Sequence, residues 1–472
     1  MVETWARQDG HVTDDLRIDD LSVSRLGDCR INSPLADLLD RRKSSTHYVD
    51  EGDQVLVDDT IGMASARDLP VAELPGFEPG GPRRHIYFEP VRTKVGIVTC
   101  GGLCPGLNDV IRGLVLELAH PYAVTDVRGY RNGFRGFLES ETIALNASIV
   151  RDINELGGTI LGTSRGGQDP EVVVERLVAD GVDILFVIGG DGSQRGALGI
   201  AKVIAARGLD IAVIGVPKTI DNDIPFLDNS FGFQTAFGRA AESIRAAAVE
   251  ARGAPNGVGL VKLMGRHSGF IACYAALAKN DADFVLIPEV PFKLEGDNGF
   301  LAHLRRHVEG RGHAVVVLAE GAGQELLQHR TAATDASGNR KLHDIGLLMQ
   351  ERIVAHFDRA GVELNMRYLA PSYAIRSVPA NPFDSVYCIR LAHAAVHAAM
   401  AGRTAMVVGR WHGAIRAPAD SARGQSVQYR RSGRGPVAFR AGGHRTAPFV
   451  RLSATDVDRV RGGVDVTVRA SH

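Results

Sequence analysis

The chain has 472 residues, material for about three domains at ~150 residues each. Hydrophobic residues make up 44% and charged residues 23%, close to the soluble globular average of ~45–50% and ~25% and unlike a largely disordered chain. The formal net charge of −1 hides an asymmetry: residues 1–60 carry 14 Asp/Glu against 7 Lys/Arg, and residues 412–472 carry 11 Arg against 4 Asp.

No apolar run approaches the ~18 residues of a membrane helix. The opening stretch MVETWARQDGHVTDDLR has no apolar h-region, so no signal peptide is expected. The five cysteines (29, 100, 104, 273 and 388) are too few for a disulfide framework. Cys100 and Cys104 lack the second pair that zinc requires, and a reducing cytoplasm is the expected setting.

Residues 1–93 read as an N-terminal extension, in which PGFEPGGPRR (75–84) reads as a Pro/Gly linker. From Lys94 the pattern changes. Short apolar runs at 94–100, 183–190, 211–217, 258–264, 313–319 and 404–409 end in polar or glycine-rich text. Near-continuous Val/Ile/Leu runs are what strands covered on both faces require. Helical periodicities at 107–119, 171–180, 193–206, 233–252, 268–280, 343–360 and 385–401 alternate with them, which predicts βαβ units and mainly parallel sheets. The Arg/Gly-rich text of 412–472 fits no such unit and reads as a solvated tail rather than a nucleic-acid or membrane contact.

Ligands of such folds sit at the carboxyl ends of strands, and four strand ends carry polar chemistry. TCGGLCPGLN (99–108) offers paired glycines before a helix, suited to an anion or to a simple tight turn. IGGDGS (188–193) adds a carboxylate, Asp191, which either faces Mg²⁺ and phosphates or belongs to a turn capped by Asp191 or Ser193. VPKTIDNDI (216–224) places Lys218, Thr219, Asp221, Asn222 and Asp223 directly after a buried strand. A carboxylate there can take the proton of a substrate hydroxyl; an Asx-rich turn accounts for only part of the run. KLMGRHSG (262–269) brings Arg266, suited to a phosphoryl group or to a surface salt bridge, and His267, which reads as structural.

Together GGLCPGLN, GGDGS, PKTIDND, MGRHSG and PSYAIRS resemble, in order and spacing, the ATP-dependent 6-phosphofructokinase family in its long form with an N-terminal extension. The likeness runs from about Lys94 to Trp411. It implies two Rossmann-like α/β lobes: an ATP-binding lobe over 94–232, to which 375–411 returns, and a sugar-phosphate lobe over 233–374. Gly101, Arg165, Gly166, Gly190, Asp191, Gly192 and Ser193 would bind ATP, with Mg²⁺ on Asp191. Asp221 would be the general base, assisted by Lys218 and Arg266. Thr219, Ile220, Met264, Gly265, Glu320, Tyr373 and Arg376 would meet fructose 6-phosphate together with Asp221 and Arg266. Arg367 would reach a neighbouring subunit's sugar phosphate in a homodimer or homotetramer. At the ordinary Asp pKa of ~3.9, Asp221 would be ionised at neutral pH.

Gly192 and Lys218 bear on the phosphoryl donor. In related pyrophosphate enzymes an Asp stands at the position of Gly192 and fills the space of ATP's α-phosphate; glycine leaves it open and favours ATP. Lys218 pulls the other way, since a lysine before TIDND is common in the pyrophosphate enzymes, although the long ATP-using forms combine it with the glycine. Two features depart from the family: Gly257 stands where shorter bacterial enzymes carry an arginine, and the likeness ends after GRWH (409–412). The rival readings are a pyrophosphate-dependent enzyme, a catalytically silent regulatory subunit, and a lipid or NAD kinase. The last two fit poorly with an intact Asp191, Asp221, Arg266 set and with the PKTIDND run.

Overall fold

A computed structural model describes residues 21–35, 48–57, 74–164, 166–327 and 342–412, and the backbone of 414–417. Two parallel sheets organise it. The first contains β1 (Lys94–Thr99), β2 (Asp126–Tyr130), β3 (Thr142–Ala144), β4 (Ile184–Gly189), β5 (Ala212–Pro217) and β10 (Met406–Val407). Its order is β10-β5-β4-β1-β2-β3, parallel except for the β2–β3 pair. Every residue of β4 and β5 is buried, as expected of strands covered by helices on both faces. The second sheet contains β6 (Gly257–Leu263), β7 (Phe284–Leu286), β8 (His313–Ala319) and β9 (Asn365–Leu369). Its order is β7-β8-β6-β9, parallel throughout.

Helices cover both sheets: α1 (Leu107–Ala119), α2 (Pro170–Asp180), α3 (Asp191–Ala206), α4 (Phe233–Arg252), α5 (Phe270–Lys279), α6 (Phe300–Arg311), α7 (Ile345–Arg359), α8 (Ser372–Arg376) and α9 (Pro382–Met400). Each anticipated helix is present within about three residues at its ends. Helix α4 buries Ala236, Ala240, Ala247 and Ala251, small residues that let it lie close against β6. One apolar core runs through it from β1, β4 and β5 to β6, α5 and β8. Beside it, the α6–α7 face of the second sheet packs around Phe300, Leu304, Met349 and Phe357.

This topology gathers the motif loops. In the first sheet the chain leaves β1 for β2 on one side, while β4 and β5 lie on the other, so the winding reverses between β1 and β4. That reversal opens a crevice beyond the strand ends. The loops after β1, β4 and β5 follow adjacent strands there. The loop after β6 approaches from the second sheet and contacts Asp221.

The described parts of residues 21–93 depart from the linker reading. Gly76–Pro79 is a strand, paired with Val55–Leu56 on one side and Ala414–Ala417 on the other. Phe77 is fully buried and meets Phe226 and Trp411 edge-on. Ser24–Arg25 pairs antiparallel with Arg403–Thr404. Pro and Gly in 75–84 therefore bound a short strand instead of a free linker. The first four residues of the basic region's strand, 414–417, belong to that sheet; residues 418–472 lie outside the described set.

Arg403 locks the junction. Its side chain is 1% exposed and donates to Glu51 Oε2 at 2.8 Å, Glu78 Oε1 at 2.7 Å and the Ala401 carbonyl at 3.1 Å. Arg83, also buried, pairs with the same Glu78. Removing one partner of a buried ion pair strands the others, at ~3–5 kcal/mol. Arg403→Ala is expected to destabilise the fold by about 3 kcal/mol, near the low end because Glu51 is half open to water. Chemical unfolding of the two proteins measures this; an unchanged midpoint would show that the network adds nothing.

Candidate active site

The loop after β1 turns at Gly101 (φ +83°). A Cβ there would stand 3.6 Å from Lys218 Nζ and 3.9 Å from Ser193 Oγ, so three of the four motif loops meet at this point. The Gly101 amide donates to the Ser164 carbonyl (3.2 Å), and its carbonyl accepts from Thr163 Oγ1 (2.6 Å). Gly166, with φ +103°, lies in that supporting loop; Arg165 is outside the described residues.

Helix α3 begins at Asp191 itself. Its N-cap is Gly190, and no side chain caps it. The capping alternative for Asp191 and Ser193 is thus not adopted, and the helix's first amides face the crevice with the dipole's positive end. The Asp191 side chain is 59% exposed and pairs with Arg195 Nη1 at 2.8 Å. Gly192 beside it has nothing within 4 Å of where a Cβ would be.

Beneath this loop lies a residue that the motif reading passed over. Gln194 is 1% exposed, and its Nε2 donates to the carbonyls of Val187 (3.2 Å), Gly189 (2.9 Å) and Val216 (3.2 Å). It ties the ends of β4 and β5 together. Gly215 supplies its room, since a Cβ there would collide with the Gln194 carboxamide. A polar residue on an otherwise apolar helix face was the only sequence signal.

The loop after β5 is built by its own side chains. Thr219 Oγ1 accepts from the Asp221 amide (3.2 Å) and donates to Asp223 Oδ1 (2.8 Å). Asn222, in the left-handed region at φ +56°, accepts from the Ser230 amide (2.7 Å) and hydroxyl (3.2 Å). Part of the run is therefore the Asx-type turn, and Asp221 is the member left for the cleft. Ile220 is buried in the core below. Lys218 is buried as well, and desolvation holds its ammonium below the ordinary lysine range.

Asp221 Oδ2 accepts from the Arg266 amide at 3.3 Å, and its own carbonyl accepts from Ser268 Oγ at 2.7 Å. Its Oδ1 is out of solvent contact without a hydrogen-bond partner among the described residues. Burial first, then Asp223 and Glu320, push its pKa up to about 7, against the pull of Arg266. Asp221 thus lies above the ordinary carboxylate range that its residue type alone implies. Gly265 turns the β6 loop at φ +127°, where a Cβ would meet the Ser268 carbonyl; Met264 before it is half-buried against the core. Glu320, after β8, is raised by burial and lies within the field of Arg266, Lys262 and Arg376.

Arg376 lies against the first loop, its Nη1 3.8 Å from a Cβ built on Gly102, and packs over the Tyr373 ring at 4.8 Å. Tyr373 is 74% exposed. Arg367 is not brought into this group. It sits mid-way along edge strand β9, opposite Gly259, half exposed and 3.6 Å from Glu250 of α4. Gly257 starts β6 two residues earlier in that ladder, and a side chain there would strike the Ala251 carbonyl.

Comparison with known proteins decides the family. The phosphofructokinase family pattern matches residues 94–399. The chain belongs to the phosphofructokinase family. An ATP-dependent 6-phosphofructokinase of Amycolatopsis methanolica is 60% identical over 404 residues, 84% of this chain and 88% of that one. Its counterpart in Borreliella burgdorferi is 46% identical, covering 83% of this chain and 89% of its own. Among solved structures, the pyrophosphate-dependent phosphofructokinase of Marinobacter aquaeolei superposes with TM-score 0.58 at 25% identity, over 70% of this chain and 83% of that chain. The phosphofructokinase fold expected from the motifs is the one observed.

Proposed function

We propose that this phosphofructokinase transfers the γ-phosphoryl group of ATP to the 1-hydroxyl of fructose 6-phosphate, giving fructose 1,6-bisphosphate and ADP, as a homodimer or homotetramer. The observation that carries the reading is Asp221, a half-buried carboxylate whose Oδ1 is out of solvent contact, at the meeting point of the β5 and β6 loops. It accepts the hydroxyl proton as that oxygen bonds to phosphorus and the bond to ADP breaks. Lys218 and Arg266 would offset charge on the phosphoryl oxygens; the Gly101 amide, expected to share that task, is taken by the Ser164 carbonyl. Gly101, Arg165, Gly166 and Gly190 to Ser193 would hold ATP. Thr219, Ile220, Met264, Gly265, Glu320, Tyr373 and Arg376 would hold the sugar phosphate, with Arg367 reaching a neighbouring subunit. The lobes are proposed to divide at about residue 232, with 375–411 returning to the ATP side.

Asp191 fits a magnesium ion. It is an exposed hard-oxygen ligand next to open space, and no three metal-ligating side chains converge among the described residues. Mg²⁺ typically takes one or two carboxylates and completes its shell with substrate phosphates and water. When bound, it would neutralise phosphate charge. No helix among the described residues is long and apolar enough to cross a membrane.

The experiment is a side-by-side assay of ATP and pyrophosphate with fructose 6-phosphate and Mg²⁺. Turnover with pyrophosphate alone would overturn the donor; turnover with neither would overturn the enzyme. The same assay reads pH. A base must be unprotonated to act, so kcat/KM is expected to fall tenfold per unit as pH drops below about 7. A flat profile from pH 8 to 5 would remove Asp221 as the titrating base.

A further inference from the structure

Arg195 belongs to none of the motif positions, yet it is ion-paired with the candidate metal carboxylate. It stands one turn after Asp191 on α3, and its Nη1 is 2.8 Å from Asp191 Oδ2, both side chains more than half exposed. On a helix, residues four apart share a face, and long side chains lean toward the N-terminus. The guanidinium therefore projects back along α3 to the crevice. An exposed pair of this kind is worth only ~0.3–0.5 kcal/mol, so it yields readily. A cation in the second turn also gains nothing from a helix dipole that is positive at that end.

We propose that Arg195 is a nucleotide-binding residue: it pairs with Asp191 and moves to a non-transferred phosphate of the donor when a metal ion takes the carboxylate. The choice of phosphate follows from position. Lys218 lies within the electrostatic reach of Asp221, at the transferring end. Ser193 Oγ shares the surroundings of Gly101 with Lys218 Nζ, and Arg195, two positions further along α3, leaves the helix on the other side, toward the phosphates that would stay with ADP. The turn itself leaves room, because α3 has no side-chain cap and Gly192 no side chain. A planar guanidinium suits phosphate oxygens in a bidentate grip. The Asp191 carboxylate thus acts as a place-holder that keeps this arginine at the crevice before the nucleotide arrives.

This inference rests on the ATP reading, and calorimetry with ADP separates the two. Arg195→Gln is expected to weaken binding of ADP with Mg²⁺ at least tenfold, about 1.4 kcal/mol, while fructose 6-phosphate binds as before; Arg195→Lys should retain part of the affinity. Without metal, Asp191→Asn frees the arginine and should tighten ADP binding. That gain should shrink at least threefold in the Arg195→Gln background, because the two residues are coupled. Equal gains in both backgrounds, or unchanged binding of ADP with Mg²⁺ by Arg195→Gln, would overturn the proposal. Failure of the wild-type chain to bind ADP would instead overturn the nucleotide assignment. Since Arg195 is exposed, its loss leaves the core intact, and thermal unfolding checks this.

Discussion

Asp221→Asn is expected to lower kcat by about 10²–10⁴-fold, the usual worth of a positioned general base, with little change in apparent ATP affinity. The amide is nearly isosteric, and its oxygen still accepts from the Arg266 amide, so the loop after β5 keeps its contact with the loop after β6. Proton acceptance is what it loses. In the acidic range the comparison reverses in a useful way: wild-type Asp221 is progressively protonated below about pH 7, so the gap between the two proteins should narrow. Steady-state kinetics from pH 5.5 to 8.5 supply the measurement. A near wild-type kcat at pH 8 would take Asp221 out of the mechanism.

Gly192→Asp should cut ATP use severely and pyrophosphate use far less. Nothing lies within 4 Å of the added Cβ, so the substitution is accommodated without displacing its neighbours, and its effect falls on the ligand. A negative charge ~4 Å from a phosphate opposes binding by roughly 4 kcal/mol at an effective dielectric of 20, about three factors of ten in affinity. Pyrophosphate brings no α-phosphate or nucleoside to that space, and Lys218 is already beside Gly101 to meet its charge. The ratio of kcat/KM for the two donors, mutant over wild type, reads the switch. Equal losses for both would show that position 192 does not select the donor.

The central strands were legible because burial on both faces leaves a continuous apolar run, and β1, β4, β5, β6 and β8 all carry one. The strands that escaped notice lie at margins. DVRGY of β2 contains two charges, NMRYL of β9 is a half-exposed edge, and FVL of β7 is three residues long. Helix α6 escaped because its histidines and arginines dilute the stripe of Phe300, Leu301, Leu304 and Val308. Phe77 was hidden by prolines and glycines, whose turn preferences are local while its burial is set by Trp411, more than 300 residues away.

The site divides in the same way. Residues that chemistry demands at strand ends, such as Asp221 and Arg266, stand out by type. Their supports do not. Ser268 acts through a hydrogen bond to the Asp221 carbonyl, and Asn222 through two from Ser230, partners that residue type does not announce. The elevated pKa of Asp221 likewise arises from Asp223 and Glu320 converging on a desolvated carboxylate, and Glu320 is distant in sequence.

The antiparallel stitching of residues 24–25 to 403–404 and of 76–79 to 414–417 imposes an order on biogenesis. At ~5–20 residues per second on the ribosome, the strand at 76–79 waits roughly 15–70 s for its C-terminal partner. Through that interval Phe77 lacks Trp411 and Glu78 lacks Arg403. The α/β body can assemble first, since β1 to β9 need nothing from residues 21–93 to pair. The N-terminal strands at 24–25 and 76–79 gain these partners only once residues 403–417 have been made.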